Sequence, residues 1–88
     1  MDISVARTFL EVVKTGSFVG AASNLNLTQT AVSARIRVLE EQLDCPVFIR
    51  NKAGAKLTPA GEQFHRFATT LVQVWARAQR AVALPPGR

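Results

Sequence analysis

Apolar residues recur every three or four positions along most of the chain, which is the spacing of amphipathic helices. The first stripe comprises Ile3, Ala6, Phe9, Leu10 and Val13. Gly16 follows it, and glycine commonly ends a helix. A second, shorter stripe runs from Phe18 to Leu25, behind Ser17 as a capping residue. The sequence therefore predicts two helices joined by a tight turn.

A third helix is predicted after the capping residue Thr28, and its two faces differ in chemistry. The apolar line of this helix consists of Val32, Ile36, Leu39 and Leu43. At about 100° per residue, the polar and small side chains gather on the other side. They are Gln29 at the amino end, Thr30, Ser33, Ala34 and Arg37. Arg35 lies beside the apolar line, so the helix has an apolar back and a polar front.

The pattern then changes to that of a hairpin followed by a long helix. Two strands, 47–50 and 55–57, are predicted on either side of the polar turn 51–54. Thr58 and Pro59 open a fourth helix, and no helix breaker follows until Pro85. Roughly 25 residues of helix would span about 38 Å, more than a small domain covers. We therefore expect part of the apolar stripe to pack against a helix of a second chain. This predicted dimer seam comprises Phe64, Phe67, Leu71, Val74, Trp75 and Ala78.

The order of these elements predicts a mostly α fold. It is a winged helix-turn-helix of three helices and a two-stranded wing, followed by a long linker helix. With 88 residues, of which 48% are hydrophobic, the chain can form one small core. We place the winged helix-turn-helix domain at residues 1–58 and the linker helix at 59–84.

The charge balance favours an anionic partner. Eleven Lys and Arg against six Asp and Glu give a net charge of +5 and a pI near 10.8. A helix with a polar front fits the major groove of double-stranded DNA, where amide, hydroxyl and guanidinium groups read bases. Three cations of the hairpin, Arg50, Lys52 and Lys56, can hold phosphate groups. The sequence therefore predicts sequence-specific DNA binding.

Other chemistries find little support in the sequence. Cys45 is the single cysteine, so no internal disulfide can form, and a reducing, cytoplasmic location fits. No apolar run approaches the ~18 residues of a membrane span. Glu62 and His65 have the i, i+3 spacing of metal sites in helical bundles, but those sites need several more carboxylates. His65 is also the only candidate base. We therefore expect no metal, no membrane partner and no enzymatic activity.

Short motifs in order along the chain resemble the LysR-type transcriptional regulators. They are FLEVV at 9–13, GSF at 16–18, AA at 21–22, LTQTAVS at 27–33, IR at 36–37, LE at 39–40, VFIR at 47–50 and LTPAG at 57–61. The match covers residues 1 to about 84. It implies a DNA-binding transcriptional regulator that dimerises through antiparallel linker helices and reads a pseudo-palindromic site.

The resemblance also implies a larger effector-sensing domain after this chain. Residues 85–88 would then be a truncated hinge toward that domain. We expect no cofactor in this chain, because a small-molecule effector would bind the domain that follows. A tetramer in the full-length protein is left open.

The resemblance places base or phosphate contacts on the third helix and the wing. Two positions depart from the family pattern. Ala34 stands where the family often has a basic residue, with Arg35 next to it, and Asp44 stands where a glycine is usual after the third helix. The full set of DNA-contact candidates is Thr28, Gln29, Thr30, Ser33, Ala34, Arg35, Arg37, Arg50, Lys52 and Lys56.

Two other classes of function are open at this point. One is a winged-helix module for protein interaction or dimerisation, and the other is a basic amphipathic membrane binder. The cations of the hairpin and third helix favour DNA over the first. Arg66, Arg77 and Arg80 are spread among alanines, which argues against the second. A salt titration against random duplex would separate the classes, because affinity for DNA falls steeply with salt.

Overall fold

The computed structural model describes residues 1–83 of the chain. Its elements in order are α1 (Ile3–Thr15), α2 (Phe18–Leu25), α3 (Gln29–Leu43), β1 (Phe48–Asn51), β2 (Gly54–Leu57) and α4 (Pro59–Val82). The two strands form one antiparallel sheet. The predicted winged helix-turn-helix with a long fourth helix is therefore confirmed. The hinge predicted at 85–88 lies outside the described residues.

Each helix begins behind a side chain that satisfies an unpaired backbone N–H. Asp2, Ser17, Thr28 and Thr58 precede the four helices, and each side chain accepts a hydrogen bond from the first turn that follows. The end of α3 is less ordinary, because Asp44 adopts the left-handed conformation there with φ 58°. Aspartate thus takes the place of the glycine expected at this position, and its backbone N–H still bonds to α3.

Phe9 of α1 lies at the centre of the core. Its ring is fully buried, and its centroid lies 5.2 Å from that of Phe48 and 5.0 Å from that of Phe64. These three rings join α1, β1 and α4. The wing is therefore supported by the helices, because an isolated two-stranded ribbon is only marginally stable in water.

The buried side of α1 differs from the predicted stripe. Ile3, Leu10 and Val13 are only half-buried. The deepest residues of the helix are Val5, Ala6, Thr8, Phe9 and Val12. Because α2, α3 and α4 all pack against α1, both of its sides are apolar, and periodicity alone could not identify the deepest one.

Hydrogen bonds to backbone atoms tie the wing and the residue before it to the helices. Val47, which was predicted in the first strand, lies before β1 instead. Its N–H donates to Glu40 Oε2 at 2.8 Å, and its carbonyl accepts from the Thr58 N–H at 3.0 Å. The Ala55 N–H donates to the Gly16 carbonyl at 2.8 Å. The ribbon is thus held by α3, by the start of α4 and by the turn between α1 and α2.

Helix α4 packs into the core with its first half only. Gly61 and Ala68 are buried, whereas most side chains after residue 70 are exposed. The 24 residues of the helix span about 36 Å. The prediction of a helix that outgrows the core is confirmed. The first turns of α4 belong to the same core as the other helices. The domain boundary at 58/59 stays a prediction.

Candidate nucleic-acid interface

The amino-terminal half of α3 presents its polar front at the surface. The burial of Val32, Ile36 and Leu39 against the other helices turns this front outward. The front and one wing residue line a shallow depression of about 290 Å³. Its lining is Gln29, Thr30, Ser33, Ala34, Arg37 and Arg50. The structure thus brings six of the ten candidate residues together.

Arg50 of β1 is held in place between the wing and the two helices of the helix-turn-helix. Its guanidinium lies over the Phe18 ring, with Cζ 4.0 Å from the ring centroid. Its Nη1 donates to Ser33 Oγ at 3.4 Å. A guanidinium has five N–H donors, so these contacts leave most of them for a ligand.

A second depression, of about 280 Å³, lies between the amino end of α2 and the wing turn. Gln29 and Arg50 border it as well. Lys52, at the exposed tip of the hairpin, adds a positive charge to its lining. Sequence reasoning missed the polar wall at Ser17, whereas Asn51 belongs to the wing turn that the resemblance placed on the DNA backbone. No periodicity relates the start of α2 to a turn more than thirty residues later. The candidate surface therefore extends from α3 across the wing.

Three candidates lie apart from these depressions. The Thr28 hydroxyl caps α3. Lys56 leaves the opposite face of the ribbon from Arg50, because residues one step apart in a strand ladder alternate between faces. Arg35 turns toward α1, where its Nη1 donates to Thr8 Oγ1 at 3.1 Å. A DNA contact by any of the three stays a prediction.

The exposed stripe of α4 borders a groove of about 520 Å³. We call it the α4 groove; it is lined by Met1, Asp2, Ile3, Leu71, Val74, Trp75 and Ala78. Phe67, one turn earlier, is 66% exposed. Phe64, which was also predicted in the dimer seam, is half-buried and packs edge-on against Phe9 of the core, so its contact with a second chain stays a prediction.

The other chemistries considered from the sequence can also be located. Glu62 is exposed, and the His65 ring lies 6.4 Å from the Phe9 ring, centroid to centroid. Within residues 1–83, no three His, Cys, Asp or Glu side chains are placed to share a metal ion. No helix in that part of the chain has the length and apolar character that crossing a membrane requires.

Known proteins with the same arrangement were found by sequence and by structure. HdfR, an HTH-type transcriptional regulator of Yersinia enterocolitica serotype O:8 / biotype 1B, is 48% identical over 83 residues, which are 94% of this chain and 28% of HdfR. The chain thus spans less than a third of the length of this relative. VV2_1132, a LysR family transcriptional regulator, superposes with a TM-score of 0.92 at 27% identity, over 100% of this chain and 30% of VV2_1132.

A smaller solved structure matches at the scale of this chain. The BenM_DBD/catB site 1 DNA complex is 32% identical with a TM-score of 0.82, over 89% of this chain and 84% of that one. The model of the family described as "Bacterial regulatory helix-turn-helix protein, lysR family" matches residues 3–62, more than half of the chain. The chain belongs to the lysR family of bacterial regulatory helix-turn-helix proteins.

Proposed function

We propose that this chain binds double-stranded DNA sequence-specifically as a homodimer and forms the DNA-reading part of a cytoplasmic transcriptional regulator. The observation that carries the proposal is the shared depression formed by the front of α3 and Arg50. The likeness to BenM_DBD, which was solved with catB site 1 DNA, supports it. The family consists of transcriptional regulators, which are not enzymes.

The chemistry of the front suits the edges of base pairs. The Gln29 amide offers a donor and an acceptor, as bidentate pairing with adenine requires, and Arg37 offers the two parallel donors that guanine accepts. Thr30 and Ser33 add hydroxyls that donate or accept. Gln29 and Thr30 stand in the first turn of α3, the part of a recognition helix that reaches deepest into the major groove.

The wing suits the phosphate backbone. Arg50 and Lys52 flank the second depression, next to the amino end of α2. Their charges would fix the register of α3 on the duplex without reading bases. A division of labour follows, with specificity on α3 and most of the salt dependence on the wing.

The α4 groove supports dimerisation. Leu71, Val74 and Trp75 keep between 42% and 46% of their surface exposed, so three large apolar side chains on neighbouring turns of α4 remain partly in contact with water. Complete burial of such a side chain is worth about 1.5–3 kcal/mol, so covering the part that is still exposed is worth somewhat less than half of that for each. A two-fold dimer through this groove would present two α3 helices to a pseudo-palindromic site. We further propose that a small-molecule effector acts on a part of the full-length protein outside these 88 residues.

Selection of bound sequences from a random duplex pool tests the proposal. We expect a single enriched motif with two inverted half-sites. Affinity for that duplex should exceed affinity for random duplex by about a thousandfold or more, and both should fall steeply with salt. Equal affinity for selected and random duplexes would contradict the proposal.

Arg37→Ala is expected to cost the protein its preference at one base pair of each half-site. If Arg37 pairs bidentately with guanine, the loss is about 1–3 kcal/mol per contact for the selected duplex and much less for random duplex. Binding curves on both duplexes check this. Arg66→Ala on the exposed side of α4 removes the same charge and serves as the control. Unchanged binding by Arg37→Ala would remove Arg37 from the interface.

Lys52→Gln is expected to weaken binding to every duplex alike. A lost phosphate contact should flatten the slope of log affinity against log salt by about one unit for each chain that contacts the duplex. Arg77→Gln, the same loss of charge on α4, should leave the slope as it is. A changed base preference with an unchanged slope would show that Lys52 reads sequence instead.

A further inference from the structure

Thr8 is the most completely buried polar residue in the described part of the chain. Thr8 is fully buried in the core face of α1. Its Oγ1 donates to the Ser4 carbonyl at 2.8 Å and lies 3.1 Å from Arg35 Nη1. A hydroxyl has one hydrogen, so toward Arg35 it can only accept. The Arg35 guanidinium, which only donates, therefore satisfies the free acceptor position of the Thr8 hydroxyl. A side chain that only accepts could not replace it, because two acceptors would then face each other.

The carboxylate that caps α1, Asp2, lies near enough to Arg35 to feel its positive charge. Asp2 Oδ1 accepts the Ser4 N–H at 2.9 Å, and this bond to the backbone lowers the pKa of the Asp2 carboxyl. A side-chain hydrogen bond with Ser4 and the positive charge of Arg35 act in the same direction. Arg35 is therefore held by a neutral acceptor in the second turn of α1, and its charge is favourable near the carboxylate that caps the helix.

Arg35 points away from the candidate DNA surface. It is two residues from Arg37, which places the two side chains about 200° apart around the helix axis. Arg37 lines the depression at the front of α3, and Arg35 does not. Arg35 is half-buried, whereas Arg37 is exposed. The two arginines of α3 thus face different partners.

The start of α1, about one and a half turns before Thr8, borders the α4 groove. Met1, Asp2 and Ile3 form one wall of that groove, opposite the exposed stripe of α4. A path of direct contacts therefore leads from α3 through Arg35 to the first turns of α1, and from there to the groove where a second chain would pack.

We propose that Arg35 is a positioning residue, which fixes the direction of α3 relative to the first turns of α1 and so relative to the α4 groove. It touches no DNA. This role rests on the proposed function, because the position of α3 matters only if α3 reads bases. In a dimer, the same tie in both chains sets how the two recognition helices face their half-sites.

A double-mutant cycle on DNA affinity tests the role. The variants are Arg35→Met, Thr8→Val and the pair together, with the duplex selected by the wild type and a random duplex as probes. We expect each single variant to lose about threefold to tenfold in affinity for the selected duplex, the value of one hydrogen bond. The double variant should lose no more than the worse single one, because both remove the same contact. The salt slope should stay at its wild-type value.

Two control substitutions accompany the cycle. Thr69→Val removes a hydroxyl that donates to the carbonyl of the residue four positions earlier, as Thr8 does, at 3.0 Å and without an arginine partner. Arg66→Met removes an exposed arginine from α4. Both should bind like the wild type. Circular dichroism at the temperature of the binding assay verifies that every variant is folded. Arg35→Lys, which keeps the charge and one donor, replaces Arg35→Met in the cycle if the latter does not fold.

The outcomes separate the proposals. A loss of about one unit of salt slope in Arg35→Met, with Thr8→Val binding like wild type, would show that Arg35 contacts DNA and would overturn the positioning role. Additive losses, or wild-type affinity in all three variants, would overturn it as well. A wild-type protein without preference for any duplex fails the proposed function before any variant is compared.

Discussion

Leu71→Glu is expected to turn a dimer into a monomer. Leu71 lies on the exposed stripe of α4 and lines the α4 groove, so a second chain that covers the groove covers this position in both copies. A carboxylate taken out of water without a partner costs several kcal/mol, and two-fold symmetry imposes the cost twice. We expect the dimer dissociation constant to rise at least a hundredfold. Sedimentation at tens of micromolar protein measures it.

DNA binding should follow the loss of the dimer. Two linked recognition helices bind a pair of half-sites more tightly than one helix does, commonly by a factor of about a hundred or more. Leu71→Glu should lose this factor on the selected duplex, although it leaves the surface of α3 and the wing intact. Gln73→Glu adds the same charge to an exposed position on the other side of α4 and should change neither property. A monomeric wild type, or a Leu71→Glu protein that dimerises like wild type, would show that the seam is assigned wrongly.

Gly61→Ala is expected to destabilise the fold, although alanine is the better helix former. A Cβ at position 61 would press into the backbone carbonyl oxygen of Val47. That oxygen accepts the N–H of Thr58, and the Thr58 hydroxyl caps α4 and donates to the Pro46 carbonyl at 2.7 Å. To admit the methyl group, the start of α4 must move away from the segment before β1. Overpacking costs about 1–3 kcal/mol or more, and the strained hydrogen bonds about 1 kcal/mol each.

The gain in helix propensity, about 1 kcal/mol, does not offset these costs, so we expect a net loss of roughly 2–3 kcal/mol. Urea unfolding at one fixed protein concentration measures it. Gly20→Ala is the comparison, because it makes the same change inside α2, where the added methyl meets side-chain atoms of Thr15 and Ser17 rather than backbone. Gly61→Ala should be the less stable of the two. The reverse order would show that α4 is not packed against Val47.

The fold could be predicted from local signals because each element has its own. Ser17, Thr28 and Thr58 were predicted at helix starts from the sequence, and all three cap helices in the structure. The periodicity could not show how the elements pack and which residues are buried most deeply. Val47 has the composition of a strand residue, yet its N–H and carbonyl bond to Glu40 and Thr58, and such pairings depend on how α3 and α4 pack.

The candidate site likewise contains residues that helical spacing identifies and residues that only tertiary packing brings together. The front of α3 follows from helical spacing alone, so Gln29, Ser33 and Arg37 could be assigned from the sequence. The position of Arg50 over Phe18 could not, because it joins residues thirty-two positions apart through a hairpin whose direction is a tertiary property. Arg35 is the converse case. Charge made it a DNA candidate, while its hydrogen bond to a buried threonine became visible only when α1 was packed beside α3.

The fluorescence of Trp75 can report on the α4 groove. It is the single tryptophan, and the chain has no tyrosine, so near-ultraviolet emission comes from this one side chain. The indole is 44% exposed in the groove and lies on a different part of the fold from the front of α3. When a second chain excludes water from it, the emission maximum should move to shorter wavelength. Dilution of the unlabelled protein can therefore be followed as a fluorescence titration of assembly, with duplex DNA, which hardly fluoresces, present or absent.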